Sequence, residues 1–399
     1  MISQNNMTTP SPVQQNERTV VVDIIRGFAL TGVLIANFTA YNTQNLPSTI
    51  VDSISSPFDK ALANINTIFF EWKFYTTFSI LFGYGFGLIL TSLEKKNINS
   101  TPFFIRRMFW LFIIGAVHTL FWWADVLHLY ALSGVLLLVF RRLSTYKILI
   151  CSLICMFIIS PFVSLMFQNK PDYFTDENME LLYNQYLNGN IIDVFKANIN
   201  LYYKAFILTA VDLHDIIETL GRFLFGYFLL RVRLFESIET KKPLFKKILF
   251  ITAPLMIAYF IIRWLSLQRV ISTDQVNWEP VIKLGIISTS CFYASALVIL
   301  YITFGRSKFF IPLQSLGKMT LTNYLLISAF LIISLYGIGF GKLGTLPMHI
   351  VWLLAFIWLL VEISFSMFWL FKFRFGPAEW MWRQLTYRKR IPLRKQKIK

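Results

Sequence analysis

The chain has 399 residues, 56% of them hydrophobic and only 15% charged, with a formal net charge of +17. A soluble domain needs about a quarter of its residues charged to cover a water-facing surface, so an ordinary soluble globule is excluded. The basic excess lies in short clusters between long apolar runs and forms no basic domain, which argues against a nucleic-acid partner.

Apolar runs long enough to cross about 30 Å of hydrocarbon lie near 20–42, 73–93, 103–123, 125–140, 146–167, 215–232, 246–266, 281–304, 317–338 and 347–371. The fold expected is an all-α, polytopic integral membrane helix bundle of about ten transmembrane helices. The fourth run is short, and the sixth has a polar approach.

Orientation follows from counting charge. With the N-terminus inside and one crossing per run, 27 of the 38 Lys and Arg fall on the inner side and seven on the outer; the other four lie within or beside a run. That bias is the positive-inside pattern. Slipping one helix would invert every loop after it. Both ends are therefore expected on the cytoplasmic side. The plan is a cytoplasmic segment over 1–19, a transmembrane domain over 20–371 with an extracytoplasmic cap over 168–205, and an interfacial, polybasic tail over 372–399. The first segment holds one basic residue, Arg18, and the first apolar run is too long for a signal-peptide core, so it reads as an uncleaved span. The tail should draw anionic lipid of the inner leaflet.

Two local patterns read as packing. Cys151, Cys155 and Cys291 sit inside apolar runs with no second ligand pair nearby, as small buried hydrophobes rather than a metal site. Leu81-Phe82-Gly83-Tyr84 recurs as Leu224-Phe225-Gly226-Tyr227, and small residues at such spacing let helices approach closely. The Gly-Tyr-Gly lies mid-helix without a re-entrant loop, which argues against an ion filter.

Ionisable groups inside spans cost several kcal/mol each and mark pairing or function. On the inner side Asp23 and Arg26 lie at i,i+3, near enough to pair, and Arg106 and Arg107 open the third run. Clustered Arg suits an anionic ligand; ion-paired or snorkelling anchors are the plainer alternative. The topology puts all four histidines, His118, His128, His214 and His349, on the outer side. His118, Asp125 and His128 bracket one tight turn, where a carboxylate can orient an imidazole for proton transfer. Asp212, His214, Asp215 and Glu218 open the sixth run, where Glu218 and Arg222 can pair at i,i+4. Asn37 lies near the outer end of the first. No helical His-x3-His pair supports a metal.

At these residues the sequence resembles a known group, the YeiB-like bacterial membrane proteins, a family of unknown function. The resemblance runs through Asp23-x-x-Arg26-Gly27-Phe28-Ala29-Leu30 with Asn37, then Lys73-Phe74-Tyr75 through Gly85-Phe86, Arg106-Arg107, His118 and Asp125-x-Leu127 with Tyr130-Ala131. Gly221-Arg222, Gly226-Tyr227 and Gly317-Lys318-Met319-Thr320-Leu321-Thr322-Asn323-Tyr324 follow. The ending Gly376-Pro377-x-Glu379-Trp380-x-Trp382-Arg383-x-Leu385-Thr386-Tyr387 is the most distinctive.

The first-helix motif also looks like that of wider transmembrane acyltransferases, which carry acyl groups from a cytoplasmic donor to an extracytoplasmic acceptor. In the acyltransferase-3 branch the position matching Asn37 is typically the essential His. Asn cannot act as a general base, so the heparan-glucosaminide acetyltransferase-like branch, which takes its His from elsewhere, is the nearer likeness. The resemblance implies an anionic donor such as acyl-CoA at Arg26, Arg106 and Arg107, and His118 as base with Asp125 or His128 behind it. A small molecule, lipid or glycan would be the acceptor. The Arg pair and His118 stand 11 or 12 residues apart on one helix, so about 17 Å separates them, a gap only a long donor bridges. A small-solute transporter, or a bundle whose polar groups only lock helices together, are the alternatives.

Overall fold

The computed structural model describes residues 20–44, 46–167, 173–207, 211–271, 278–305 and 308–395. The expected segment 1–19, positions 168–172 of the cap, Arg306 and the last four residues lie outside the described residues. The described chain is helical: α1 (Val20–Thr43), α2 (Ser48–Ile54), α3 (Pro57–Ile65), α4 (Lys73–Lys95), α5 (Ser100–Thr119), α6 (Leu127–Phe140), α7 (Thr145–Ile154), α8 (Ser160–Met166), α9 (Asp176–Asn188), α10 (Ile191–Tyr202), α11 (Val211–Arg231), α12 (Lys242–Leu267), α13 (Glu279–Phe304), α14 (Ile311–Lys318), α15 (Thr320–Leu335), α16 (Met348–Lys372) and α17 (Pro377–Tyr387).

Each of the ten apolar segments is occupied by helix, but not every one is a span by length and composition. Among the described residues seven stretches qualify: α1, Pro57–Lys95, α5, Thr145–Met166, α12, α13 and α16. The bent pair Lys308–Lys318 and Thr320–Leu335, broken by 76°, would make an eighth. The ninth segment, 317–338, is the second half of this pair, α15 with the last two residues of α14. The fourth, α6, has 14 residues and reaches only about 21 Å, short of the hydrocarbon thickness. The sixth, α11, is long enough but carries Asp212, His214, Asp215, Glu218 and Arg222, which dilute its hydropathy.

The shortness of α6 has a structural answer. The turn joining α5 to α6 sits against a roof made by α9 and α10, two helices that lie within positions 168–205. The Asn198 side chain of α10 accepts from Trp123 N at 3.1 Å and donates to Leu120 O at 3.0 Å, so one amide side chain stitches the roof to the backbone of the turn. Phe121 packs edge-on against Phe195, and Tyr186 stacks on Tyr336. Trp122, Trp123, Met179, Leu182, Tyr186 and Val194 share one buried apolar cluster with the ends of α1, α15 and α16.

The repeated Leu-Phe-Gly-Tyr is one helix crossing seen from both sides. A Cβ on Gly83 of α4 would lie 2.2 Å from Phe223 O of α11, and one on Gly226 of α11 would lie 1.8 Å from Ile80 O of α4. Each motif therefore seats the other helix, and packing accounts for the repeat. Gly27 of α1 and Gly317 of α14 make a second such crossing, each Cβ meeting a carbonyl oxygen at 1.8 Å.

After its break, α15 begins with Met319 at the N-cap position, which has no side-chain acceptor for the first amides. Glu379 of α17 supplies it, accepting from Leu321 N at 2.7 Å, Thr322 N at 3.2 Å and Thr322 Oγ1 at 2.5 Å. A carboxylate at a helix N-terminus also opposes the helix dipole favourably. The tail to residue 395 is pinned as well: Trp380 Nε1 donates to Ile391 O at 2.7 Å, and Arg374 N to Leu393 O at 2.9 Å. As far as Lys395 the basic tail is folded back over α17 and the end of α16.

Candidate functional site

Three groups of polar side chains lie within the helices. The first is built on the α5–α6 turn. Asp125 is buried, and each of its oxygens takes one imidazole: His118 Nδ1 at 2.8 Å on Oδ1 and His128 Nδ1 at 2.9 Å on Oδ2. Oδ2 also accepts the backbone amides of Leu127 and His128 at 2.9 and 3.1 Å, so the carboxylate caps α6 as well. Tyr324 of α15 donates to Oδ1 at 3.4 Å, and its ring lies 5.1 Å from that of His118. The three residues that the sequence brackets around one turn thus form a single His–Asp–His unit.

The two imidazoles differ at their far nitrogens. His128 Nε2 meets Tyr202 OH of α10 at 2.9 Å, and Tyr202 OH in turn donates to Asp212 at the start of α11. Burial, then the adjacent Asp212 carboxylate, push the Tyr202 hydroxyl above its ordinary range, so it stays a proton donor. His118 Nε2, by contrast, is buried with no hydrogen-bond partner among the described residues, on a side chain 6% exposed. Since Nδ1 is committed to Asp125, neutral His118 presents a lone pair at Nε2.

The second group begins two residues along α11. His214 Nδ1 is 2.8 Å from Asp215 Oδ1, and its Nε2 is 2.8 Å from Glu279 Oε1 of α13. Glu218 pairs with Arg222, which lies over the Tyr75 ring at 5.0 Å. Lys283 sits at the centre: its Nζ is 2.5 Å from Glu279 Oε1, 2.7 Å from Ser160 Oγ, 3.1 Å from Glu218 Oε2 and 3.3 Å from His214 Nε2. His214, Glu218 and Glu279 each offer an atom within 4.8 Å of the others, close enough for a metal ion. The Lys283 ammonium already fills that space, so an ion would have to displace it.

The third group lies at the opposite end of α5. Arg26 pairs with Asp23 at 3.3 Å and reaches Leu81 O at 3.3 Å, and Gly85 leaves room for it, since a Cβ there would lie 2.5 Å from Arg26 Nη2. Arg107 stacks on the Trp382 ring at 3.6 Å, while Trp382 Nε1 donates to Arg107 O at 2.9 Å. Arg26 and Arg383 are close enough to act on Arg107 electrostatically. Arg106 is drawn away from this group, because its Nε donates to Thr386 O of α17. Of the two arginines that open the third segment, Arg107 therefore faces the cationic cluster, and Arg106 holds α17.

The remaining sequence candidates are placed as follows. His214, Glu218 and Arg222 all belong to the Lys283 group. Asn37 is half-buried on α1 and makes no side-chain hydrogen bond among the described residues. His349 pairs with Asp59, which also closes the capping box of α3. Sequence reasoning missed Tyr202, Tyr324, Glu279, Lys283 and Arg383 as members of these groups. Glu279 and Lys283 had a signal, an i,i+4 acid–base pair at the edge of an apolar run. Tyr324 stood in the Gly317–Tyr324 motif but without a role, and Tyr202 had no signal, since nothing local distinguishes it from other tyrosines. The two cavities described, about 50 and 10 Å³, lie under the cap between Tyr173 and Lys204 and beside Phe38 and Phe330; neither is lined by His118.

The fold and these groups define a helical protein with several membrane-length helices and a buried His–Asp–His centre beneath a helical cap. Residues 229–389 match the family described as "Protein of unknown function (DUF418)". Over almost its whole length the chain is similar to three uncharacterised proteins. It is 28% identical to YxaH of Bacillus subtilis, covering 98% of this chain and 99% of that one. It is 27% identical to a 39.9 kDa protein of the amylase 3′ region of Bacillus acidopullulyticus, covering 96% and 97%. To YeiB of Escherichia coli it is 27% identical, covering 93% and 97%. No solved structure matches the chain. The DUF418 match over the C-terminal part of the chain and the full-length similarity to YeiB and YxaH agree with the resemblance to the YeiB-like proteins.

Proposed function

We propose that this protein crosses the bacterial cytoplasmic membrane ten times with both ends inside, and that it transfers an acyl group from a cytoplasmic acyl-CoA donor to an extracytoplasmic hydroxyl or amine. The observation that carries this reading is the open, buried Nε2 of His118 behind a buried carboxylate. An imidazole fixed at Nδ1 by a carboxylate, with Nε2 unfilled, is the arrangement a general base requires.

In this reaction His118 Nε2 takes the proton of the acceptor as its oxygen or nitrogen attacks the thioester carbonyl. The thiolate then leaves and takes the proton back from the imidazolium. Asp125 stabilises the imidazolium without itself being protonated, and its second oxygen fixes His128. The chain His128–Tyr202–Asp212 gives a further path for a proton. With the proton on Asp212 the tyrosine donates to neutral His128; with it on His128 the tyrosine donates to Asp212. Arg26, Arg107 and Arg383 would hold the donor's phosphates, for which guanidinium forks are suited. About 17 Å of α5 separates Arg107 from His118, a span that a pantetheine arm covers.

The test uses the purified full-length protein in lipid nanodiscs with acetyl-CoA as probe, following free thiol release in the presence of cell-envelope glycan or lipid extract. Release that depends on extract, and that is lost in His118→Ala with acetyl-CoA binding kept, is the expected result. Full activity in His118→Ala sinks the base; no binding and no turnover in the wild type sinks the enzyme. A second reading, proton-linked transport of a small solute, rests on the broken α14–α15 pair, since discontinuous helices line solute sites in many transporters.

A further inference from the structure

Glu362 is the one acidic residue of α16, and it belongs to none of the three groups. It lies about 15 Å along the helix from Lys372 and about 21 Å from Met348, well inside a stretch of membrane length. The buried residues of α16, namely Met348, Val351, Ala355, Glu362 and Ser366, form one stripe, and it faces the bundle. Glu362 is 1% exposed. Its Oε1 accepts from Trp358 Nε1 at 3.0 Å, one turn away on its own helix, and its Oε2 is buried with no hydrogen-bond partner among the described residues.

The surroundings hold the carboxyl in place without offering it a positive charge. One turn toward Lys372, Asn323 Nδ2 of α15 donates to Ser366 Oγ at 3.0 Å; one turn the other way, Trp358 stacks on Phe330 at 4.1 Å. The helices packed on α16 carry few titratable groups. On α1 these are Asp23, Arg26 and Tyr41, with Asp23 and Arg26 paired to each other; on α3 they are Asp59 and Lys60, with Asp59 bound to His349 and Ser56 and Lys60 to Asp52. On α14 there is Lys318, and on α15 Tyr324, which reaches Asp125. Among the described residues none of them makes an ion pair or hydrogen bond to Glu362, nor do His349 or Lys372 at the ends of α16.

An ionised carboxylate here would keep one indole N–H and nothing on its second oxygen. An uncompensated ion in such a place costs several kcal/mol, far more than the neutral acid. We propose that Glu362 is a proton-binding site in the interior of the bundle, separate from the His118 centre, on the seam between α15 and α16. The reaction is the simple equilibrium of carboxylic acid with carboxylate and a proton, the proton leaving to water. Water or a cation must reach Oε2 for release, so opening of this seam and loss of the proton are one coupled event.

Infrared spectroscopy of the full-length protein in lipid nanodiscs at pH 7 tests this directly. The difference between wild type and Glu362→Gln should contain the carbonyl stretch of one protonated carboxyl, shifting in D2O and vanishing when the pH is raised far enough to ionise it. Should Glu362→Gln fail to insert, Glu362→Asp keeps an acid at the site and should show the same band displaced. A difference spectrum with only ionised-carboxylate bands at pH 7, in either variant, overturns the proposal, whatever the fate of the acyl-transfer reading.

Discussion

Asp212 and His214 stand two residues apart on α11, yet they serve opposite kinds of polar cluster. Around Lys283, the two glutamates, the histidine and the ammonium are paired with one another, and the space a metal would need is filled by the protein's own cation. Around Asp125, the same residue types are arranged so that one imidazole nitrogen is left over. A buried polar atom without a partner costs about 1–3 kcal/mol; Arg222 Nε of the Lys283 group is left in that state too. What sets His118 apart is that its free atom on neutral imidazole is a lone pair able to take a proton, where the guanidinium N–H can only donate. The contrast separates a cluster that fastens helices α8, α11 and α13 from one that can act on something else.

The sharpest way to break the contrast is to damage each cluster and compare activity with stability. His118→Ala should lower acetyl-CoA-dependent transfer by a factor of about 10² to 10⁴, the range for loss of a general base, with little change in thermal midpoint in detergent. Lys283→Met should do the reverse. Removing one partner of a buried ion network costs about 3–5 kcal/mol, so unfolding should occur at clearly lower temperature. Adding Glu279→Gln to Lys283→Met should recover part of the loss, because the carboxylate nearest the missing ammonium is then neutral while Glu218 keeps its pair with Arg222. Equal activity losses in the His118 and Lys283 variants at equal stability would erase the distinction.

Smaller effects sharpen it. Gly226→Leu should destabilise by about 1–3 kcal/mol as an overpacked contact, since its side chain would enter the Ile80 carbonyl; thermal unfolding in nanodiscs reads this. Arg107→Ala should weaken acetyl-CoA binding by calorimetry, whereas Arg106→Ala should chiefly loosen α17, seen as faster proteolysis near Thr386. The smallest effect concerns the cap. Ser48 N–H and its hydroxyl hold the Asp176 carboxyl below its ordinary range. A depressed carboxylate contributes stability above its unfolded-state value and loses it as pH falls through the folded one. The protection of α9 amides, measured against their intrinsic exchange rate at each pH, should therefore fall slightly on acidification, and Asp176→Asn should remove that dependence.

Much of this was legible in the chain. The long apolar runs locate every membrane-length helix, because hydrocarbon tolerates few charges over some 20 residues. The i,i+3 spacing of Asp23 and Arg26 and the i,i+4 spacing of Glu218 and Arg222 predict their pairing, since helix geometry alone brings them together. The turn bracketed by His118 and His128 around Asp125 predicts that those three meet, because seven residues of tight turn leave little choice.

What the sequence could not decide was everything set by contacts between distant helices. Of the ten crossings read from hydropathy, seven or eight among the described residues have spanning length and composition on their own; α6 is short, α11 is polar, and α14 and α15 meet at a sharp break. That Glu379 caps α15, that Tyr202 extends the His128 arm, and that Lys283 closes the Glu218–Glu279 gap depend on which helices pack side by side. The difference between the open and the filled cluster depends on that packing too. Local spacing determines which residues share a helix face; only the packing determines which of their atoms are left without a partner.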